Sequence, residues 1–358
     1  MAAADPALDA LFLPLAEGHV AWPADGALFL RAREGAALHA APRPGLACVQ
    51  PFRPQADALA RAGFAVAPDA AADDGRRWPL VLLLPPRQRE EARAWFARAL
   101  ARVAPGGVLL ASQHNDEGGR SGQADLARLA GPLQALSKHH CRVYWTQAGT
   151  GGVDAGLAAE WRALDAPRPL ADARLAEAGL AGRWLSRPGV FAWDRVDAGS
   201  ALLARHLPAD LAGDAADLGA GWGFLAGVLL ARCPRLRAMD LYEADARALE
   251  LARANLAANA PGATPGFHWH DVAAGLPRRY DVIVSNPPFH AQDRIDRPEL
   301  GQRFIAAAAQ ALAPRGRLWL VANRHLPYEA ALGAHFAQVR TVAQEGGFKV
   351  VEAVRGAA

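Results

Sequence analysis

The pattern that most restricts how this chain can fold occurs twice. In the second half, Tyr280-Asp281-Val282-Ile283-Val284-Ser285 reads as a buried strand stopped by Asn286-Pro287-Pro288-Phe289. A helical stretch over about 300–312, a turn at Pro314-Arg315-Gly316 and a strand over 317–322 follow. In the first half, a strand over 79–84 is stopped by Pro85-Pro86 and leads through a helix over 89–103 and a turn at Pro105-Gly106-Gly107 to a strand over 108–111. Closing strands over 138–145 and 348–354 extend the match. Strands that alternate with helices need crossover connections, which make the strands mostly parallel and put helices on both faces of the sheet. A repeat of that unit predicts a duplicated α/β domain.

At 358 residues the chain has room for two separate cores. The division read from the sequence is a first domain over 1–165, a linker over 166–186 within a stretch rich in Gly, Ala, Asp and Pro, and a second domain over 187–358. Hydrophobic residues make up 52% and charged residues 21%, a balance that excludes disorder for most of the chain. No run of about 18 uninterrupted apolar residues suggests a membrane span. Met1-Ala2-Ala3-Ala4-Asp5-Pro6 lacks the basic start of a signal peptide. Cys48, Cys141 and Cys233 are too scattered for a disulfide framework, so a cytoplasmic location is expected. His139, His140, His268 and His270 form no convincing ligand set, and no metal is expected. The net charge is +3. Residues 1–180 hold 19 basic and 19 acidic side chains and residues 181–358 hold 20 and 17, so charge alone neither identifies nor excludes a nucleic-acid partner.

The chemistry-bearing residues lie in the second half. Asp217-Leu218-Gly219-Ala220-Gly221-Trp222-Gly223 stands where a strand over 214–218 turns into a helix over 224–233. Glycines there permit positive φ and close approach of a ligand to the backbone. Gly221-x-Gly223-x-x-Ala226 also satisfies the dinucleotide fingerprint, which keeps a nicotinamide cofactor open. Glu243 lies 20 residues beyond Gly223 at the end of the next strand, where an acid accepts hydrogen bonds from ribose hydroxyls; Asp240 and Asp245 compete for that role. Asp271, after His268-Trp269-His270, is placed to meet an adenine edge.

Asn286-Pro287-Pro288-Phe289 ends a strand that faces the same crevice. The lone pair of a nucleobase amine is conjugated with its ring, which makes it a poor nucleophile. The Asn286 side-chain oxygen and the Pro287 carbonyl would accept its two N–H bonds and aim the lone pair at an electrophilic methyl. The double proline stiffens the loop, and Phe289 offers a face for a flipped base. The first half has Leu84 before its double proline and no glycine turn, so it reads as a non-catalytic relative.

These residues resemble S-adenosylmethionine-dependent methyltransferases acting on exocyclic amines. Pro188-Gly189-Val190-Phe191, Asp197-x-Gly199-Ser200, Asn286-Pro287-Pro288-Phe289-His290, the run Val321–Tyr328 and Phe348-Lys349-Val350 resemble the bacterial ribosomal RNA small subunit methyltransferase C family. Upstream, Gly118-Gly119-Arg120-Ser121-Gly122 and Lys138-x-x-Cys141 carry a weaker likeness, and Trp222 departs from the small residue frequent at its position. The resemblance implies two tandem Rossmann-like methyltransferase domains, the first degenerate and serving RNA binding or folding. It implies S-adenosylmethionine held by Asp217, Gly219, Gly221, Gly223, Glu243, Asp271 and Asn286, with Asn286, Pro287, Pro288 and Phe289 as the catalytic loop. The implied substrate is a guanine N2 amine of 16S ribosomal RNA in the small subunit, the family target being guanine 1207, and the implied state is a monomer. Large-subunit RNA guanine, adenine N6 and a glutamine amide are the alternative acceptors; an oxidoreductase and a catalytically dead RNA scaffold are the alternative classes. Trp184, Phe191 and Trp193 are read as a cofactor cover or as packing, and His290, Arg294, Arg297 and Arg303 as phosphate contacts or a solvated surface.

Overall fold

The computed structural model describes residues 5–68, 75–146, 152–288 and 298–357. They form two compact units that divide between Ala166 and Pro167. The first unit holds β1 (Leu28–Leu30), β2 (Ala47–Val49), β3 (Ala65–Ala67), β4 (Trp78–Leu83), β5 (Val103–His114), β6 (Leu133–Lys138) and β7 (Cys141–Thr146). After the short strands β8 (Arg168–Pro169) and β9 (Leu185–Ser186), the second unit holds β10 (Ala212–Leu218), β11 (Arg235–Glu243), β12 (Gly266–Trp269), β13 (Tyr280–Ser285), β14 (Leu312–Asn323), β15 (Gln338–Glu345) and β16 (Phe348–Val354).

The sheet orders are β3-β2-β1-β4-β5-β7-β6 and β12-β11-β10-β13-β14-β16-β15, the same topology twice. In each sheet the first five strands of that order pair in parallel and the last two pair antiparallel. The duplicated, mostly parallel α/β architecture read from the double-proline repeat is therefore the observed one. Register aligns the copies residue by residue. Leu30 lies beside Val49 and Leu83, and Leu218 lies beside Tyr242 and Ser285. In each unit the core is two apolar layers, one on each face of the sheet.

Several elements differ from the sequence reading. The stretch 138–145 holds the end of β6, a turn at His139 and His140 with φ 52° and 56°, and most of β7, the second strand of a hairpin over 133–146. Two consecutive left-handed residues build the two-residue turn that fits strand twist, but Asn or Gly normally signals it and neither occurs here. β15 was not expected, although Gly346 and Gly347, at φ 57° and 85°, supply that signal before β16. Pro105 and Pro314 lie inside β5 and β14, opposite register shifts in β4 and β13, so the expected turns are irregular strand starts.

The segment expected to be a linker, 166–186, is folded into the second unit from Pro167 onward. β8 pairs with β9, and Leu175, Leu180 and Trp184 join the second unit's core. Trp184 meets Trp222 edge to face at a centroid distance of 6.0 Å and leaves no room for a side chain at Gly227, whose Cβ would fall 2.4 Å from the indole. Asn255 seals the join. Its Oδ1 accepts from Leu185 N at 2.7 Å, and its Nδ2 donates to Leu185 O and Trp222 O at 2.9 Å each. Gly, Ala, Asp and Pro suggested a flexible connection, and a few large apolar residues outweigh them. Trp184→Ala in the full chain is expected to cost about 3–5 kcal/mol in urea unfolding, the scale for truncating a large buried aromatic. A loss below about 1 kcal/mol would mean that the segment is only a tether.

Candidate functional site

The site lies at the carboxyl ends of β10, β11 and β13. Gly219, Gly221 and Gly223 have φ of 73°, 56° and 92°, left-handed values that a side chain resists. The turn is held by Gly219 N and Ala220 N, which both donate to Tyr242 O at 2.9 and 3.1 Å. Gly223 also needs its missing side chain for space, since a Cβ would sit 3.2 Å from that of Ala252. By contrast, a Cβ at Gly221 would meet nothing within 4 Å, so this backbone borders open space. Ser285 Oγ donates to Leu218 O at 2.8 Å and ties the ends of β13 and β10 together.

Two acids border the turn. Glu243 accepts from Gly221 N at 2.7 Å through Oε2 and from Asp245 N at 2.8 Å through Oε1. Burial pushes its carboxyl up to about 7, against the pull of those backbone N–H groups. Asp217 is buried on β10; its Oδ2 accepts from Ala226 N at 3.1 Å, while its Oδ1 is buried without a partner. Burial, with the nearby Glu243 charge, pushes Asp217 up to about 8. The competing acids are engaged elsewhere. Asp240 accepts from Tyr280 Oη at 2.8 Å and Arg278 Nη1 at 3.1 Å, and Asp245 caps the Ala246–Asn259 helix and pairs with Arg247 at 2.7 Å. Asp271, just after β12, accepts from Ala273 N at 2.9 Å through Oδ1.

Asn286 follows β13 directly. Its Nδ2 donates to Asp197 Oδ2 and to Ser200 Oγ, each at 2.8 Å. Asp197 is also the N-cap of the Ala198–His206 helix, its Oδ2 accepting from Ser200 N at 2.9 Å. One crevice is lined by Phe191, Asp197, Ser200, Gly219, Gly221 and Asn286. Asp197 and Ser200 were not among the sequence-read site residues. Their signal was present as Asp-x-Gly-Ser, which reads as a helix cap until the fold brings it to β13. Pro287 is buried and Pro288 exposed, whereas Phe289, His290, Arg294 and Arg297 lie outside the described residues. Phe191 is 68% exposed beside Ala192, which holds φ at 48°. Of the other aromatics, Trp184 and Trp222 pack in the core, and Trp193 is stacked by Arg168 at 4.9 Å. Arg303 Nη2 donates to Ala273 O at 3.1 Å.

The matching edge of the first unit is filled by its own side chains. Gln50, directly after β2, stands at the register position that Glu243 takes at the end of β11. Gln50 Nε2 donates to Ala32 O at 2.6 Å and its Oε1 accepts from Phe52 N at 2.9 Å. Arg31 takes the first turn position, at φ 54°, and Leu84 stands where the second unit has Asn286.

Asp217 and Glu243 give the ligand-free protein a defined pH response. A carboxyl raised on folding favours the folded state below its ordinary value near 4, and that advantage is lost as pH rises through about 7 to 8. Relative to Asp217→Asn, the wild-type unfolding free energy should therefore fall between pH 5 and pH 8, by at most about 1.4 kcal/mol per pH unit. Chemical denaturation across that range measures it, and parallel curves would remove the buried acid as the cause.

Comparison with known proteins agrees with this geometry. The methyltransferase small domain family matches residues 182–352. A ribosomal RNA small subunit methyltransferase C of Pseudomonas aeruginosa (strain UCBPP-PA14) is 35% identical over 282 residues, 78% of this chain and 80% of that protein. One from Cronobacter sakazakii is 40% identical over 174 residues, 47% of this chain and 48% of that protein. In fold, the chain is similar to the T. thermophilus 16S rRNA N2 G1207 methyltransferase, solved in complex with AdoMet and guanosine. That likeness has a TM-score of 0.77 at 22% identity and covers 98% of this chain and 92% of that one. The chain belongs to the ribosomal RNA small subunit methyltransferase C family.

Proposed function

We propose that the protein transfers a methyl group from S-adenosylmethionine to the exocyclic N2 amine of a guanine in 16S ribosomal RNA, the position named guanine 1207 for the T. thermophilus protein. The observation that carries this reading is Asn286, which borders the glycine turn with its amide nitrogen tied back to Asp197 and Ser200. Family membership and the printed names of the relatives support the same substrate class. The nicotinamide alternative leaves the Asn286 arrangement without a use.

The residues present fit the cofactor. Buried Asp217 Oδ1 lacks a partner, an unusual condition that a donor of a bound ligand relieves. The Gly221 backbone borders open space, and Glu243 carries a carboxylate for ribose hydroxyls at the end of β11. Asp217, Gly219, Gly221, Gly223, Glu243 and Asp271 are assigned to cofactor binding, with Asn286 at the border between cofactor and acceptor. When bound, the cofactor supplies an electrophilic methyl on a sulfonium. The chain's own residues orient the acceptor. Asn286 Oδ1 and the Pro287 carbonyl take the two amine N–H bonds, which aims the lone pair at the methyl and stabilises positive charge developing on nitrogen. The amine nitrogen would take the methyl group that the bound cofactor supplies, and its displaced proton would leave to solvent.

Phe289 is assigned to stack on the flipped base, with Pro287 and Pro288 holding the loop. The partner is ribosomal RNA within the small subunit. The first unit, 1–165 in the sequence reading, serves RNA binding or folding. The protein acts as a monomer in the cytoplasm; among the described residues, no helix is long and apolar enough to cross a membrane.

Labelled S-adenosylmethionine offered with separated ribosomal subunits, naked ribosomal RNA and DNA should label a guanine of the small-subunit RNA. Label confined to DNA or protein would overturn the reading. Asn286→Ala should lower transfer by about 10²–10³-fold, the scale for losing an oriented hydrogen bond to developing charge, while cofactor affinity in calorimetry holds.

A further inference from the structure

We infer that Asp197 and Ser200 are positioning residues that make Asn286 a pure acceptor toward the crevice, and that this pair thereby restricts that point of the site to a hydrogen-bond donor, which an exocyclic amine supplies and a ring carbonyl does not. The inference rests on the assignment of Asn286 to the substrate amine.

The chemistry of the three side chains fixes the arrangement. A carboxamide has a donor end and an acceptor end of almost the same shape, and a half-turn about its last bond exchanges them. An unrestrained asparagine would offer the crevice either N–H bonds or an oxygen. At Asn286 the choice is removed. Asp197 is a carboxylate that only accepts, so the end 2.8 Å from its Oδ2 is the amide nitrogen. Ser200 Oγ, also 2.8 Å from Nδ2, accepts the second hydrogen. Both donors of Asn286 are then spent within the protein, and Oδ1 is what remains for a ligand.

The clamp is rigid because its acceptors belong to a helix start. Asp197 Oδ2 receives Ser200 N at 2.9 Å as the N-cap, so one oxygen closes the first turn of the Ala198–His206 helix and holds Asn286. Behind that turn, the ring of Phe348 lies 3.1 Å from where a Cβ at Gly199 would stand, which fixes the height of the helix start against β16. The consequence is selectivity by polarity. A ring amine brings N–H bonds to Oδ1, while a ring carbonyl at the same place would set oxygen against oxygen.

The experiment compares Asp197→Ala, Ser200→Ala and their double variant with Asp197→Asn and Asn286→Ala in the full-length protein. Transfer to small ribosomal subunits, S-adenosylmethionine affinity and melting temperature are measured for each. Ser200→Ala keeps the helix cap, and the carboxamide introduced by Asp197→Asn can still accept from both Ser200 N and Asn286 Nδ2 through its one oxygen. The expected result is a kcat about tenfold lower in each alanine single variant and about 10²-fold lower in the double variant. The KM for S-adenosylmethionine should change less than about threefold, and Asp197→Asn should recover most of the Asp197→Ala loss. In competition, wild type should bind guanosine better than inosine, which lacks the 2-amine, and the double variant should lose that preference. If Asn286→Ala is inactive but the double variant keeps kcat and the guanosine preference, the clamp is overturned and the assignment of Asn286 stands. If Asn286→Ala keeps full activity, that assignment falls and the clamp with it. A loss in the double variant that follows melting temperature and cofactor affinity alike would also overturn the clamp in favour of a merely structural role.

Discussion

A left-handed backbone at one strand end governs what each copy of the fold can do. Parallel strands joined by crossovers bring their carboxyl ends to one edge, so β10, β11 and β13 all deliver their next residues to the same crevice. Whether that crevice stays open depends on the turn after the first of them. In the second unit Gly219, Gly221 and Gly223 take positive φ without side chains, which leaves backbone facing space. In the first unit Arg31 takes positive φ with a long side chain attached, and its guanidinium pairs with Glu91 at 3.1 Å. The topology is common to both units; the difference in chemistry begins at that turn.

Holding the crevice open is costly in other terms. Asp217 and Glu243 are acids pushed well above their ordinary range, one of them with an unpartnered buried oxygen. A sequence selected for stability alone would place apolar residues there, as β1 does with Leu28, Phe29 and Leu30. The first unit shows what relaxation looks like, since Gln50 replaces the acid with an amide that satisfies both of its ends on local backbone groups. An amide carries no charge to desolvate, and it closes the turn onto itself. The two copies thus differ in buried charge at this edge, which the second unit retains in Asp217 and Glu243 and the first unit lacks at Phe29 and Gln50.

Much of this was legible in the sequence, because the residues that carry it act locally. Proline pairs stop strands, glycines permit turns, and an acid some 20 residues beyond a glycine turn falls at the end of the next strand. β13 matched its expected bounds, β11 ends at Glu243 as expected, and the helix after the glycine turn matched to within one residue. What escaped was set by distant packing. β1, β2 and β3 are three residues each, too short for any periodicity, and they exist because neighbouring strands complete them. The segment 166–186 has the composition of a tether, yet Trp184 and its bonds through Asn255 make it part of a core. Asp197 reads locally as an N-cap, which it is; its second bond, to a residue 89 positions away, could not be seen before the fold was known.

That double use of Asp197 ties a local helix signal to a side chain 89 positions away. An N-cap is worth about 1 kcal/mol to a helix, and an oxygen of the same carboxylate has spare lone pairs. Sharing that oxygen with Asn286 couples the orientation of its amide to the integrity of the Ala198–His206 helix, so the amide is set whenever the domain is folded. On the proposed assignment of Asn286, nothing would have to reorganise to receive the acceptor amine, which is the condition under which hydrogen bonds contribute most to a transition state. The first unit has no counterpart at Leu84, a side chain that offers no hydrogen bond to orient. Its sheet is complete and its core is packed, and it still lacks the one polar group that such a scaffold would have to aim.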